Sequence, residues 1–202
     1  MTIESDRALG AELMKHQAFH TGHGDNGATT RLGKGERLSK SAPAIETVGT
    51  IDEASAAIGM ARALCQSAES GAILKTIQHH LVRLMAHVAA TPETRASYPG
   101  LEASDVAQLE AWIETLAEGI PPLKEFVLPG ETVAGAALHV ARTVVRRAER
   151  RLVALAREEP GLGASNLAYL NRLSSLLFVA ALHEDLLGGE SIELATGEHL
   201  NP

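Results

Sequence analysis

The sequence predicts an all-α protein, an antiparallel bundle of five helices. Three observations carry that expectation. Alanine and leucine dominate an apolar share of 45%, while aromatics make up only 3%. Alanine and leucine, neither branched at Cβ, suit close-packed helices, whereas a sheet favours β-branched and aromatic side chains. Apolar residues recur at helical spacing in five separated stretches, divided by proline and glycine clusters, and no strand signal appears.

The first long helix is predicted to start at Thr50. Thr50 and Glu53 make a capping-box pattern, Asp52 sits in the first turn, and Ile51, Ala54, Ala57, Ile58 and Ala61 trace an apolar stripe. A second helix, about residues 70–90, rests on Ile73, Ile77, Leu81, Leu84, Met85 and Val88. Pro92, Pro99 and Gly100 mark residues 91–104 as loop, and the third helix, about 104–118, takes Ser104 as its N-cap. Pro121, Pro122 and Pro129 make Gly119 to Gly130 irregular. The fourth helix, about 131–158, ends at Pro160, Gly161 and Gly163. The fifth, about 165–186, runs through Leu167, Leu170, Leu173, Leu177 and Val179 and stops at Gly188 and Gly189. The chain thus divides into a polar N-terminal arm, 1–18, a bundle domain, 19–187, which opens with a Gly/Thr/Lys loop at 19–40, and a polar tail, 188–202.

The net charge of −7 argues against a general nucleic-acid binder. No apolar run reaches the length of about 18 residues that a membrane span needs, and Met1 to Gly10 lacks a signal-like apolar core, so a soluble, cytoplasmic protein is expected. The single cysteine, Cys65, excludes an intrachain disulfide and a thiolate metal cluster, and it reads as a buried, inert thiol in a helical stretch.

Against this acidic background, Arg142 to Arg151 packs five arginines into ten residues. At 100° per residue, His139, Arg142, Arg146, Glu149 and Arg150 share one stripe, and Ala141, Val144, Val145, Ala148 and Leu152 share another. The first stripe is either a solvated face or a phosphate site, since arginine binds phosphate through paired donors. A second signal favours phosphate. The segment Thr21-Gly22-His23-Gly24-Asp25-Asn26-Gly27-Ala28-Thr29-Thr30 combines glycines, which let backbone N–H groups approach an anion, with threonine hydroxyls, and Lys34, Arg37 and Lys40 follow. It is neither a Walker A loop nor a Rossmann fingerprint.

These blocks resemble the ATP:cob(I)alamin adenosyltransferases of the propanediol-utilisation type. The matching blocks, in order, are Gly24-Asp25-Asn26-Gly27, Gly35-Glu36-Arg37 with Lys40, Val48 to Glu53, Ala90-Thr91-Pro92, Phe126 to Gly130, Leu138 to Arg151 and Tyr169 to Ser174. The resemblance implies a homotrimer of five-helix bundles with active sites between subunits. ATP would be gripped by Thr21, Gly22, His23, Gly24, Thr29, Thr30 and Lys40 of one chain and by Arg146, Arg147, Ala148, Glu149, Arg150 and Asn171 of its neighbour, with Mg2+ bridging the phosphates. No metal-ligating side-chain set is expected. Cobalamin would lie beside Phe126, the residue in the position that removes the lower axial ligand, and Asp52 and Arg142 would pair across the interface. The implied reaction transfers the 5′-deoxyadenosyl group of ATP to cob(I)alamin. A reductase and a cobalamin-dependent mutase are the protein partners it implies.

Residue by residue, other roles stand beside these. Asp52 serves equally as a helix-start residue, Phe126 as a core anchor, Asn171 as a helix crosslink and Lys40 as a solvated loop residue. The chain also departs from the family pattern. Gly22 stands where a cation is usual, His23 replaces a small polar residue, His20 an aromatic, Ser175 an aspartate and Glu131 a glycine. A cation lost beside the triphosphate weakens binding by ~1–3 kcal/mol. These departures motivate the alternative of a weak or non-catalytic relative that carries or senses a corrinoid or nucleotide. A ferritin-like metal bundle would need Glu-x-x-His pairs, which the sequence lacks, although His16, His20 and His23 form a histidine set. A purely structural trimer leaves the arginine stripe and the loop unexplained.

Overall fold

A computed structural model describes residues 20–33 and 35–200; the predicted N-terminal arm, with His16, and Lys34 lie outside the described residues. The five predicted helices are all present: α1 (Pro43–Leu64), α2 (Ala68–Ala89), α3 (Ala103–Ala117), α4 (Val133–Glu158) and α5 (Ala164–Leu187). α4 lies between α1 and α5, α2 packs on α1, and α3 packs on α5. Ile51, Ile58, Leu81, Leu84, Leu138, Leu152, Leu173 and Leu177 meet in one core, each fully removed from water.

Helix starts differ from the prediction at two places. α1 begins seven residues before Thr50, with Pro43 in its first turn, where the missing N–H costs nothing and the fixed φ favours a helix. The Thr50/Glu53 capping box therefore does not exist. Thr50 is mid-helix, and its hydroxyl donates to Glu46 O at 2.7 Å. α3 is capped by Glu102 in a reciprocal box with Asp105 rather than by Ser104.

The prediction of no strand also needs correction. β1 (Ala28–Thr30) pairs with β2 (Arg37–Ser39), and β3 (Ile192–Glu193) pairs with β4 (His199–Leu200), both antiparallel. Strands of two or three residues are too short to show an alternating pattern. The polar tail is thus a hairpin whose Ile192 and Leu194 are buried. Cys65 caps the C-terminus of α1 and is half-buried; burial, then the charge of Glu184, pushes its thiol up to about 12, so it stays protonated. No helix of the described residues is long and apolar enough to cross a membrane.

Two buried carboxylates tie the helix ends. Glu184 accepts from the N–H groups of Gln66 and Ser67 at the α1–α2 turn, at 2.7 and 3.3 Å. Asp185 accepts from the N–H and hydroxyl of Thr132, at 3.0 and 2.7 Å, while the same hydroxyl caps α4 by accepting from Gly135 N–H. The start of α4, the helix that carries the arginine run, is thereby fixed to the end of α5.

Candidate functional site

The N-terminal loop is built by its own turns. Asp25 N–H donates to Gly22 O and Gly27 N–H to Gly24 O, both at 3.1 Å. Gly22 and Gly27 take φ of +69° and +76°, a region that costs an L side chain roughly 1–2 kcal/mol. A cation at position 22 would carry that strain. Arg37 donates to His23 O, Asn26 Oδ1 and Ala28 O, so it shapes the loop and is not a free cation. Lys40 is placed differently: its Nζ lies 2.9 Å from where a Cβ on Gly24 would stand, so the ammonium covers the loop and Gly24 leaves room for it. A cleft of about 330 Å3 opens here, lined by Thr29, Lys40, Ile45, Glu46, Gly49, Thr50 and Glu53.

The arginines of α4 divide between two flanks. Arg147 pairs with Glu53, and Arg151 with Glu46 at 3.4 Å, both across to α1 and both largely exposed, so they add little stability. Arg146, Glu149 and Arg150 instead line a cleft of about 320 Å3 with Val153 and with Asn171 of α5. Asn171 Nδ2 donates to Glu149 Oε1 at 3.1 Å and its Oδ1 accepts from Arg172 at 2.9 Å, which fixes the amide orientation. An adjoining cleft of about 240 Å3 shares Arg146 and is lined by Arg142, Ser174, Ser175, Phe178 and Val179. Ser175 in place of the usual aspartate leaves this second cleft without a lining carboxylate.

His139, on the predicted stripe, is buried. Its Nδ1 accepts from Arg142 Nε at 3.3 Å, its ring meets Phe178 edge-on at 5.8 Å, and its Nε2 has no partner among the described residues. Burial, then the Arg142 charge, pushes its pKa down to about 4, so the ring is neutral and can accept from a guanidinium.

Phe126 lies on an irregular strap between α3 and α4 and is 85% exposed. Exposure on that scale removes the core-anchor alternative. Its backbone is nevertheless held: Phe126 O accepts from Ala195 N–H at 2.8 Å and Leu128 N–H donates to Glu193 O at 2.9 Å. A large apolar ring presented to solvent on a fixed backbone suits contact with an apolar ligand face.

The family description "Cobalamin adenosyltransferase" matches residues 19–184. The chain belongs to the cobalamin adenosyltransferase family. A cobalamin adenosyltransferase from Cupriavidus metallidurans is 40% identical over 169 residues, covering 83% of this chain and 88% of that relative. A corrinoid adenosyltransferase PduO from Citrobacter freundii is 39% identical over 169 residues, but the chain spans only 50% of its length. Among solved structures, a variant PduO-type ATP:corrinoid adenosyltransferase from Lactobacillus reuteri, complexed with cobalamin and ATP, aligns with a TM-score of 0.82 at 31% identity, over 90% of this chain and 99% of that one.

Within this adenosyltransferase fold the expected residues gather into two groups. Thr29 and Lys40 line the loop cleft, Lys40 also covers Gly24, and Thr21, Gly22, His23 and Thr30 lie on the same loop and strand without lining the cleft. Arg142, Arg146, Glu149, Arg150 and Asn171 line the two arginine clefts. Arg147 lies on the opposite flank, toward α1. Ala148 lies between Arg147 and Glu149 in sequence, with its methyl fully buried in the core. The loop cleft and the arginine clefts share no lining residue. Asp52 is exposed, and among the described residues its carboxylate has no partner, Arg142 included. Sequence reasoning missed Glu46, Glu53 and Arg151. The signal was present, since Glu46 and Glu53 are seven residues apart and Arg147 and Arg151 four, but placing the α1 start at Thr50 put Glu46 outside any helix.

Proposed function

We propose that the chain transfers the 5′-deoxyadenosyl group of ATP to cob(I)alamin, giving adenosylcobalamin and triphosphate. The cobalt lone pair attacks C5′, the C5′–O bond breaks, and the electron pair leaves on the triphosphate. The observation that carries this reading is the pair of clefts joined at Arg146. One has the arginines, the oriented Asn171 and a single carboxylate; the other holds cations without any lining carboxylate. Such a face suits a polyanion whose charge grows as the bond breaks. The solved relative complexed with cobalamin and ATP supports the same assignment.

In this reading ATP spans two protomers of a homotrimer. The loop cleft holds one side of the nucleotide and the arginine cleft of the neighbour holds the triphosphate. Three features support a shared site. The two clefts share no lining residue, Asp52 and Arg142 are not bonded to each other among the described residues, and apolar side chains on the outside of α1 and α4, Met60, Leu64 and Val140, stand 41–51% exposed. Phe126 faces the corrinoid and excludes its lower ligand and water, which eases reduction of cobalt(II). The chain supplies no nucleophile of its own; its residues bind, orient and neutralise.

The residues also fit a magnesium ion that arrives with ATP. Among the described residues no group of three His, Cys, Asp or Glu side chains forms an ion cage, and Glu149 is the one carboxylate lining the arginine cleft. Mg2+ takes most ligands from phosphate and water in such sites and, when bound, neutralises phosphate charge. This chemistry calls for a reductant that yields cob(I)alamin, and a reductase upstream and a cobalamin-dependent mutase downstream are the protein partners proposed with it.

The test is Arg146→Ala assayed with ATP and cob(I)alamin. Turnover should fall on the order of 10²–10³-fold, as for loss of a donor to a developing oxyanion. Unchanged turnover and unchanged ATP affinity would overturn the proposal, and corrinoid binding without any adenosylated product from the native chain would favour the carrier reading.

A further inference from the structure

We propose that the segment Asp185–Leu200, downstream of the family match, positions Phe126 and so sets how the ring meets the corrinoid. This inference rests on the reading of Phe126 as the group that excludes the lower ligand.

The strap from Phe126 to Thr132 has no helix or strand of its own and carries Pro129 and Gly130, so nothing local fixes it. The ring is 85% exposed and gains no placement from core packing. What holds the strap is one continuous stretch of chain. Asp185 takes the N–H and hydroxyl of Thr132, Glu193 O takes Leu128 N–H, and Ala195 N–H donates to Phe126 O itself. Gly188 lets this stretch press on the strap: a Cβ there would stand 2.9 Å from the Thr132 methyl. The hairpin is in turn anchored by Ile192 and Leu194, 0% and 2% exposed. Its position is therefore set by the bundle and passed to Phe126 through backbone bonds. The family match ends at residue 184, before every one of these contacts but the strap. A wedge must stand within a fraction of an ångström of its working position, since displacements near 1 Å cost reacting groups about 10²-fold.

Ala195→Pro tests this with the loss of a single N–H. Ala195 is the second residue of a turn closed by Gly197 N–H to Leu194 O at 2.8 Å, a place where proline is favoured, so the turn should survive while the bond to Phe126 O is lost. With ATP present, the fraction of bound cob(II)alamin that lacks its lower ligand, read from its visible and EPR spectra, should fall about threefold to tenfold. ATP affinity and helical circular dichroism should stay at native values. In a Phe126→Ala background the same substitution should cause no further loss. A chain ended at Gly189, which removes both hairpin bonds, should shift the spectrum in the same direction and keeps the test decisive if the proline variant folds poorly. A native spectrum in both variants, or additive losses with Phe126→Ala, would overturn the inference. A native spectrum in Phe126→Ala alone would instead remove the reading of Phe126 beneath it.

Discussion

At the scale of single residues, His139 shows how burial turns a motif residue into a tuned support. It sits on the arginine stripe, yet it is 3% exposed and accepts from Arg142. Its folded pKa of about 4 lies below the unfolded value near 6.5, so the unfolded chain takes up the proton first as pH falls. The stability it contributes is complete above pH ~6.5 and is lost progressively between there and pH ~4. His139→Gln, which keeps an acceptor for Arg142, should flatten that part of the urea-stability profile, with a differential effect of roughly 2–3 kcal/mol by pH 4.5. Parallel profiles for the two proteins would refute the assignment. Gly135 makes a second residue-level prediction. Alanine is worth ~1 kcal/mol more than glycine inside a helix. Here its methyl would stand 2.1 Å from Asp185 Oδ1 and break the cap on Thr132. Gly135→Ala should therefore lower stability by about 1–3 kcal/mol in urea denaturation; a gain in stability contradicts that account. Neither effect was legible in the sequence, because both depend on which residue of a distant helix faces the site.

At the scale of elements, the loop, the α2 terminus and the α4 terminus meet in one ion cluster. Glu159 accepts from Arg31 at 2.9 and 3.0 Å and from Arg95 at 2.6 Å, and both arginines are 5% exposed. Burial alone would raise the Glu159 carboxyl, but the two guanidinium bonds outweigh it and hold the carboxyl below its usual range. Its contribution is thus present above the unfolded pKa of ~4.5 and fades as pH falls through the lower folded value. Glu159→Gln removes the anion that both buried guanidinium groups bond, leaving Arg31 with the half-exposed Glu36 at 3.9 Å, and should cost about 3–5 kcal/mol in chemical denaturation. A loss under 1 kcal/mol would show that the cluster is dispensable. The residues of this cluster are 64 and 128 positions apart, beyond the reach of any local pattern. Helices α2 to α5 were legible within a few residues, since each has a continuous apolar stripe closed by proline or glycine. The α1 start was not, because Thr50 and Glu53 imitate a capping box while the operative signal was Pro43 at the first turn. The loop's glycines and threonines and the arginine stripe pointed to the site, but the division of Arg147 and Arg151 from Arg146 and Arg150 needed the packing of α4 between α1 and α5.

At the scale of the whole molecule, the loop cleft and the arginine clefts are, under the proposed function, two halves of a site shared between protomers. The loop cleft and the arginine clefts have no residue in common, and among the described residues the expected partners Asp52 and Arg142 form no bond with each other. A closed ring of three chains would bring each loop against the next chain's arginines, so that every site draws on two protomers. The resemblance supplied the idea of a trimer, and the separated clefts supply its physical motive. Complementation tests it most directly. Lys40→Ala disables the loop side and Arg146→Ala the arginine side, so each variant alone should be nearly inactive. Refolded together in equal amounts, they should recover about one quarter of native turnover, because half the loops and half the arginine faces are intact and they pair at random. No recovery above the separate variants, with mixed assembly confirmed, would contradict a site shared between protomers.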